Sequence, residues 1–143
     1  MILSDVRNGI ATDAVRRQSV DTIVAVARDL AARLEHSDFS TLGDALNRSW
    51  AAKRQLGSLV TNSRLDAVCE TARAAGADGA KVLGAGGGGF LLVACPPARH
   101  ETVIRAMAAA GLRWIRFDIA PKGSAIIYPA AGSRRRRTAS ARP

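Results

Sequence analysis

The stretch that decides the reading is Lys81-Val82-Leu83-Gly84-Ala85-Gly86-Gly87-Gly88-Gly89-Phe90-Leu91-Leu92-Val93-Ala94-Cys95, which places five glycines in six residues between two apolar runs. Glycine loses more conformational freedom on ordering than any other residue, so such a run persists where the backbone must take positive φ or approach something closely. Two partners satisfy that demand. Successive N–H groups can form a concave anion site for a phosphate, with no side chain in the way, or the run can be a sharp turn packed against a neighbouring element. Gly84, Gly86 and Gly89 formally fit GxGxxG, but that motif needs a helix after it to receive the pyrophosphate, and here Phe90 to Cys95 is apolar with no capping residue. A Walker A loop is excluded too, because no Lys-Ser or Lys-Thr follows the glycines. The loop joins strand to strand.

Outward from the loop, the hydrophobic period changes. Ala80 to Leu83 reads as a short strand and Phe90 to Cys95 as a strand apolar on both faces, stopped by Pro96-Pro97. Upstream, Val15, Ile23, Val26, Ala27, Leu30 and Leu34 put a long amphipathic helix over Asp13 to His36. A second helix is predicted from about Phe39 to Leu59, with Thr41 and Asp44 at capping-box spacing, and a third begins at Ser63 with Asp66 and ends in a left-handed cap at Gly76. Downstream, Ala98 to Ala110 predicts a fourth helix closed by Gly111. Arg113 to Ile119 alternates as a half-buried strand, and a last strand follows near Ala125 to Tyr128. The order from Ser63 onward, helix, strand, strand, helix, strand, strand, predicts an α+β domain with a small antiparallel four-stranded sheet and helices on one face, preceded by two long helices.

Composition bounds the rest. At 143 residues with 48% apolar content, the chain suits one globular domain. The net charge of +9 suggests nucleic acid until its position is noted: Arg134, Arg135, Arg136, Arg137 and Arg142 lie in a tail of Ala, Gly, Ser and Pro, and without them the body carries about +4. Residues 129–143 therefore read as a disordered basic tail. Cys69 and Cys95 form no CxxC pair and read as reduced core residues of a cytoplasmic protein. No export signal and no membrane segment is expected, since Phe90 to Cys95 is far too short to span a bilayer. His36 and His100 have no partner at ligand spacing, so neither a metal site nor a histidine base is assigned.

The decade from Lys81 to Phe90 resembles the third signature motif of the GHMP kinase superfamily (galactose, homoserine, mevalonate and phosphomevalonate kinases). Ser49-Trp50-Ala51-Ala52-Lys53-Arg54-Gln55-Leu56 and Gly111-Leu112-Arg113-Trp114 resemble its sugar branch, most of all the D-glycero-D-manno-heptose 7-phosphate kinases. The likeness covers residues 1–128. It implies a ferredoxin-like C-terminal domain whose glycine loop lines the cleft, and an N-terminal domain, in cis or in trans, with a Pro-x-x-x-Gly-Leu-Gly-Ser-Ser-Ala loop that this sequence lacks. Leu83 stands where many members have Ser or Thr, and Phe90 where Cys is common, which favours the heptose or fucose branch. ATP, Mg²⁺ and a sugar phosphate are the ligands so implied, with Mg²⁺ held mainly by the other domain, and the chain alone is expected to be inactive.

The candidate phosphate- or substrate-binding residues are Lys81, Gly84, Ala85, Gly86, Gly87, Gly88, Gly89, Ser49 and Lys53; none is catalytic. Phosphoryl transfer is mostly positioning and charge neutralisation, for which backbone donors and ammonium groups serve. Each candidate has a plainer reading. Lys81 can be a solvated strand residue, Lys53 and Arg54 a solvated helix face, Trp50 core, and Ser49, Thr61 and Asn62 caps or turns. A free-standing metabolite-binding module, an inactive remnant and a nucleic-acid-binding protein are the alternatives. The last lacks the exposed paired aromatics that stack bases on a sheet.

Overall fold

The computed structural model describes residues 2–118. Helix α1 spans Ile2–Thr12, α2 Ala14–Glu35, α3 Leu42–Arg54 and α4 Ser63–Ala74; strands β1 (Gly79–Val82) and β2 (Leu91–Ala94) follow, then a short 3₁₀ turn at Pro97–Arg99 leading into α5, His100–Ala109.

Each helix starts and stops for a local reason. The Asp13 carboxylate accepts the Val15 and Arg16 amides, so this one residue both ends α1 and caps α2. Helix α1 was not foreseen; it is held by α2, whose Arg16 guanidinium donates to the Asp5 carbonyl at 3.2 Å. Thr41 precedes α3 but makes no side-chain cap bond, and its buried Oγ1 has no partner among the described residues, so the expected capping box is not formed. The cap of α4 is Asn62 rather than Ser63, its Oδ1 accepting the Leu65 amide at 3.0 Å. Gly76 (φ 101°) and Gly111 (φ 79°) close α4 and α5 in the left-handed region, with Ala77 and Leu112 amides reaching back to the Ala72 and Met107 carbonyls at 3.0 Å.

The two strands pair antiparallel with Gly79 opposite Ala94 and Val82 opposite Leu91. Helices α3 and α4 pack on β1, α2 backs α3, and α5 packs on α4. Between them Trp50, Val60, Cys69, Ala72, Ala80, Val82, Val103 and Met107 form the core. Both cysteines carry free thiols, Cys69 buried and Cys95 half-buried.

The sheet departs from expectation. Among the described residues it has two strands, not four. Arg113 to Asp118 forms no ladder, and Trp114 and Phe117 are 62% and 66% exposed. The alternation there specifies an apolar face but supplies no backbone partner, and a strand exists only where its N–H and C=O groups are paired. The described residues are α+β, but they do not form the predicted four-stranded ferredoxin-like sheet. The predicted strand at Ala125 to Tyr128 and the arginine tail lie outside the described residues.

Candidate functional site

Helix α3 lies against the outer edge of β1 and treats it as a ladder. The Asn47 side chain receives the Ala80 amide at 3.2 Å and donates to the Asp78 carbonyl at 2.9 Å. Two turns further on, the Lys53 ammonium donates to the carbonyl oxygens of Val82 at 3.1 Å and Gly84 at 2.6 Å. This edge pairing works because the backbones nearly touch: a Cβ on Gly43 would fall 2.5 Å from Asp78 Cβ, and one on Gly79 would meet the Gly43 carbonyl closer still.

At the end of this edge, the Leu83 amide donates to the Phe90 carbonyl at 2.8 Å and closes the mouth of the glycine loop. Gly84, Gly86, Gly87 and Gly89 all take positive φ, between 73° and 110°, which explains the composition directly. The two sides of the loop differ. On the inner side the Gly87 amide donates to the Val60 carbonyl at 2.8 Å; a Cβ on Gly86 would sit 2.5 Å from that same oxygen, and one on Gly87 2.7 Å from Ile2 Cδ1. On the outer side Gly84 and Gly88 have nothing within 4 Å of a Cβ position, and Gly89 only the Leu83 carbonyl at 3.7 Å. Among the described residues, Gly87 alone of the six loop amides donates to the chain. The packed-turn reading describes the centre of the loop, and among the described residues the other five amides have no acceptor.

Two ammonium groups lie beneath it. Lys81, on β1, donates to the Oγ of buried Ser49 on α3. The Lys53 ammonium lies over the Trp50 ring, 5.8 Å from the centroid. Burial lowers the affinity of both lysines for their protons, and for Lys53 the neighbouring charge of Lys81 lowers it further. Among the described residues every ion pair is made by an arginine, so neither lysine has a carboxylate counter-ion. Two half-buried cations without counter-ions, beside free amides, make a local positive potential that favours an anion.

Lys53 thus reaches the first residue of the loop, while Lys81 and Ser49 bond to each other across the β1–α3 seam that leads into it. Trp50, 3% exposed, is core rather than a stacking platform. Thr61 and Asn62 serve the start of α4, Thr61 donating to Asp66 at 2.9 Å and Asn62 capping. Arg54 pairs with Asp66 at 3.1 Å. Asn47, Val60 and Ile2 were missed. Asn47 was readable in part, since three residues before Trp50 it neighbours that side chain on α3; the Val60 carbonyl carries no sequence signal. No group of His, Cys, Asp or Glu that would hold a metal occurs among the described residues.

Residues 21–112 match the family described as GHMP kinases C terminal, a span that includes α3, both strands, the glycine loop and α5. The chain belongs to the GHMP kinase family. This GHMP domain is 30% identical over 93 residues to D-glycero-alpha-D-manno-heptose 7-phosphate kinase of Campylobacter jejuni, covering 63% of the chain and 27% of that protein. It is 37% identical over 103 residues to galactokinase of Mycobacterium bovis, covering 69% of the chain and 28% of that protein. A solved structure of L. major mevalonate kinase in complex with R-mevalonate superposes with a TM-score of 0.67 over 76% of the chain and 33% of that protein; at 24% identity this likeness concerns the fold. The chain spans about a quarter to a third of the length of these relatives. Among the described residues, no helix is long and apolar enough to cross a membrane.

Proposed function

We propose that residues 1–128 are the C-terminal domain of an ATP-dependent kinase of a sugar or sugar phosphate, and that the outer face of the glycine loop lines the cleft where phosphate groups sit. One observation carries the reading: five uncommitted loop amides lie beside two lysines that have no carboxylate partner among the described residues. The amides supply directed donors, and the charges of Lys81 and Lys53 favour an anion nearby without Lys53 having to leave the carbonyls it holds. Ser49 holds Lys81 in place.

Heptose 7-phosphate is the favoured substrate, because one relative carries that name and because a cluster of positive charge suits a phosphate-bearing acceptor. Mg²⁺ would accompany the nucleotide on an N-terminal GHMP domain, in cis or in trans, where it would offset phosphate charge.

The test is complementation. Phosphoryl transfer from ATP to heptose 7-phosphate is measured for this chain alone, then with the N-terminal domain of a heptose 7-phosphate kinase, with galactose as the second acceptor. The reading expects turnover only in the mixture and preference for the phosphorylated acceptor. Turnover by the chain alone would overturn the assignment of halves, and preference for galactose would overturn the substrate.

A further inference from the structure

We propose that Lys53 is a positioning residue that aims the glycine loop, rather than a ligand of the phosphate. Its ammonium holds the Val82 and Gly84 carbonyl oxygens, the last of β1 and the first of the loop, at 3.1 and 2.6 Å. In a trans peptide the C=O and the following N–H point in opposite directions, and the described chain contains no cis bond. Fixing the Val82 carbonyl toward α3 therefore turns the Leu83 amide toward β2, where it meets the Phe90 carbonyl at 2.8 Å. Fixing the Gly84 carbonyl in the same way turns the Ala85 amide away from α3, to the exposed side of the loop. The clamp thus does two things at once: it withdraws two carbonyl oxygens that would repel an anion, and it presents a donor in their place.

The side chain is built for that task. Its ammonium lies over the ring of Trp50, 5.8 Å from the centroid, and Trp50 is itself 3% exposed, a fixed partner in the core. The Gly84 carbonyl is an acceptor that glycine, with its broad range of φ, would otherwise leave free to rotate. The consequence for ligand binding rests on the phosphate reading above; the clamp itself does not.

The experiment follows amide exchange in the full chain by NMR, without ligand, at Leu83 and Gly87, whose hydrogen bonds close the mouth and the centre of the loop. Lys53→Met keeps the stem and removes the donors; Lys53→Arg keeps donors. Lys53→Met is expected to speed both exchange rates by about tenfold, since bonds from a charged donor are among the stronger ones, and Lys53→Arg to restore much of the protection. Rates within about twofold of the parent for Lys53→Met, or equal acceleration in both variants, would overturn the proposal. Should Lys53→Met fail to fold, the parent chain decides: a through-hydrogen-bond coupling between the Lys53 ¹⁵Nζ and the Gly84 carbonyl ¹³C is expected, and its absence sinks the clamp. Titration with pyrophosphate of the parent mixed with the N-terminal domain of a heptose 7-phosphate kinase separates the two ideas, because a loop whose amides show no response in the complex would sink the phosphate reading while leaving the exchange result standing.

Discussion

Gly43 is the position at which one methyl group should disturb the whole site. In an ordinary helix Gly→Ala stabilises by up to about 1 kcal/mol, so the default expectation for α3 is a gain. Here the new Cβ would lie 2.5 Å from Asp78 Cβ, 2.7 Å from its carbonyl carbon and 2.9 Å from its oxygen, whereas ordinary contact begins near 3.4 Å. These atoms are backbone or fixed to it, so α3 must move back by roughly 0.9 Å, within the range over which close-packed interiors lose their contacts. Asn47 is one turn along the same helix, and its 2.9 Å bond to the Asp78 carbonyl would stretch to roughly 3.8 Å, beyond hydrogen-bond range. Overpacking costs about 1–3 kcal/mol and the lost bond about 1 kcal/mol; after the helix gain, a net loss of about 2 kcal/mol remains. Urea unfolding of Gly43→Ala should show it as a lower midpoint with unchanged slope, and thermal unfolding as a drop of about 8 °C at roughly 4 °C per kcal/mol. A variant as stable as the parent, or more so, would refute the argument that α3 is set by backbone contact with β1.

The loop offers a matched pair. Gly86→Ala meets both positive φ and the Val60 carbonyl, Gly84→Ala positive φ alone, so calorimetry with pyrophosphate should show Gly86→Ala losing more affinity, and equal losses would count against docking on Val60. Asp13→Ala removes the acceptor of two α2 amides and should cost about 1 kcal/mol by denaturant unfolding; no change would mean that the α1 junction is not held by its cap. For pH, the folded state binds the Lys53 and Lys81 protons less tightly than the unfolded chain does, so stability contributed by these groups rises with pH from their lowered values up to the ordinary 10.5. Burial raises the Cys69 and Cys95 thiols above 9.0, and their contribution runs the other way. The difference between parent and Lys81→Met cancels the thiols: it should move in favour of the parent as pH rises toward 10.5, and a flat difference would show Lys81 to be freely solvated.

What the sequence alone determined was local. The glycine run between apolar stretches required a strand-to-strand loop at positive φ, the 3.6-residue period placed α2, α4 and α5 within about two residues of their ends but carried α3 on to Leu59 where it stops at Arg54, and Gly76 and Gly111 marked two helix ends, because these features arise from interactions between residues close in the chain. The resemblance of Lys81 to Phe90 to one family's motif was legible for the same reason. Only the tertiary structure decided that Lys53 serves backbone carbonyls 29 and 31 residues away, that Asn47 completes the edge of β1, and that Val60 receives the centre of the loop. It also decided that Arg113 to Asp118, alternating as a strand should, pairs with nothing among the described residues. A hydrogen-bond partner is a matter of position in space, and periodicity carries no record of which distant backbone will arrive to supply it.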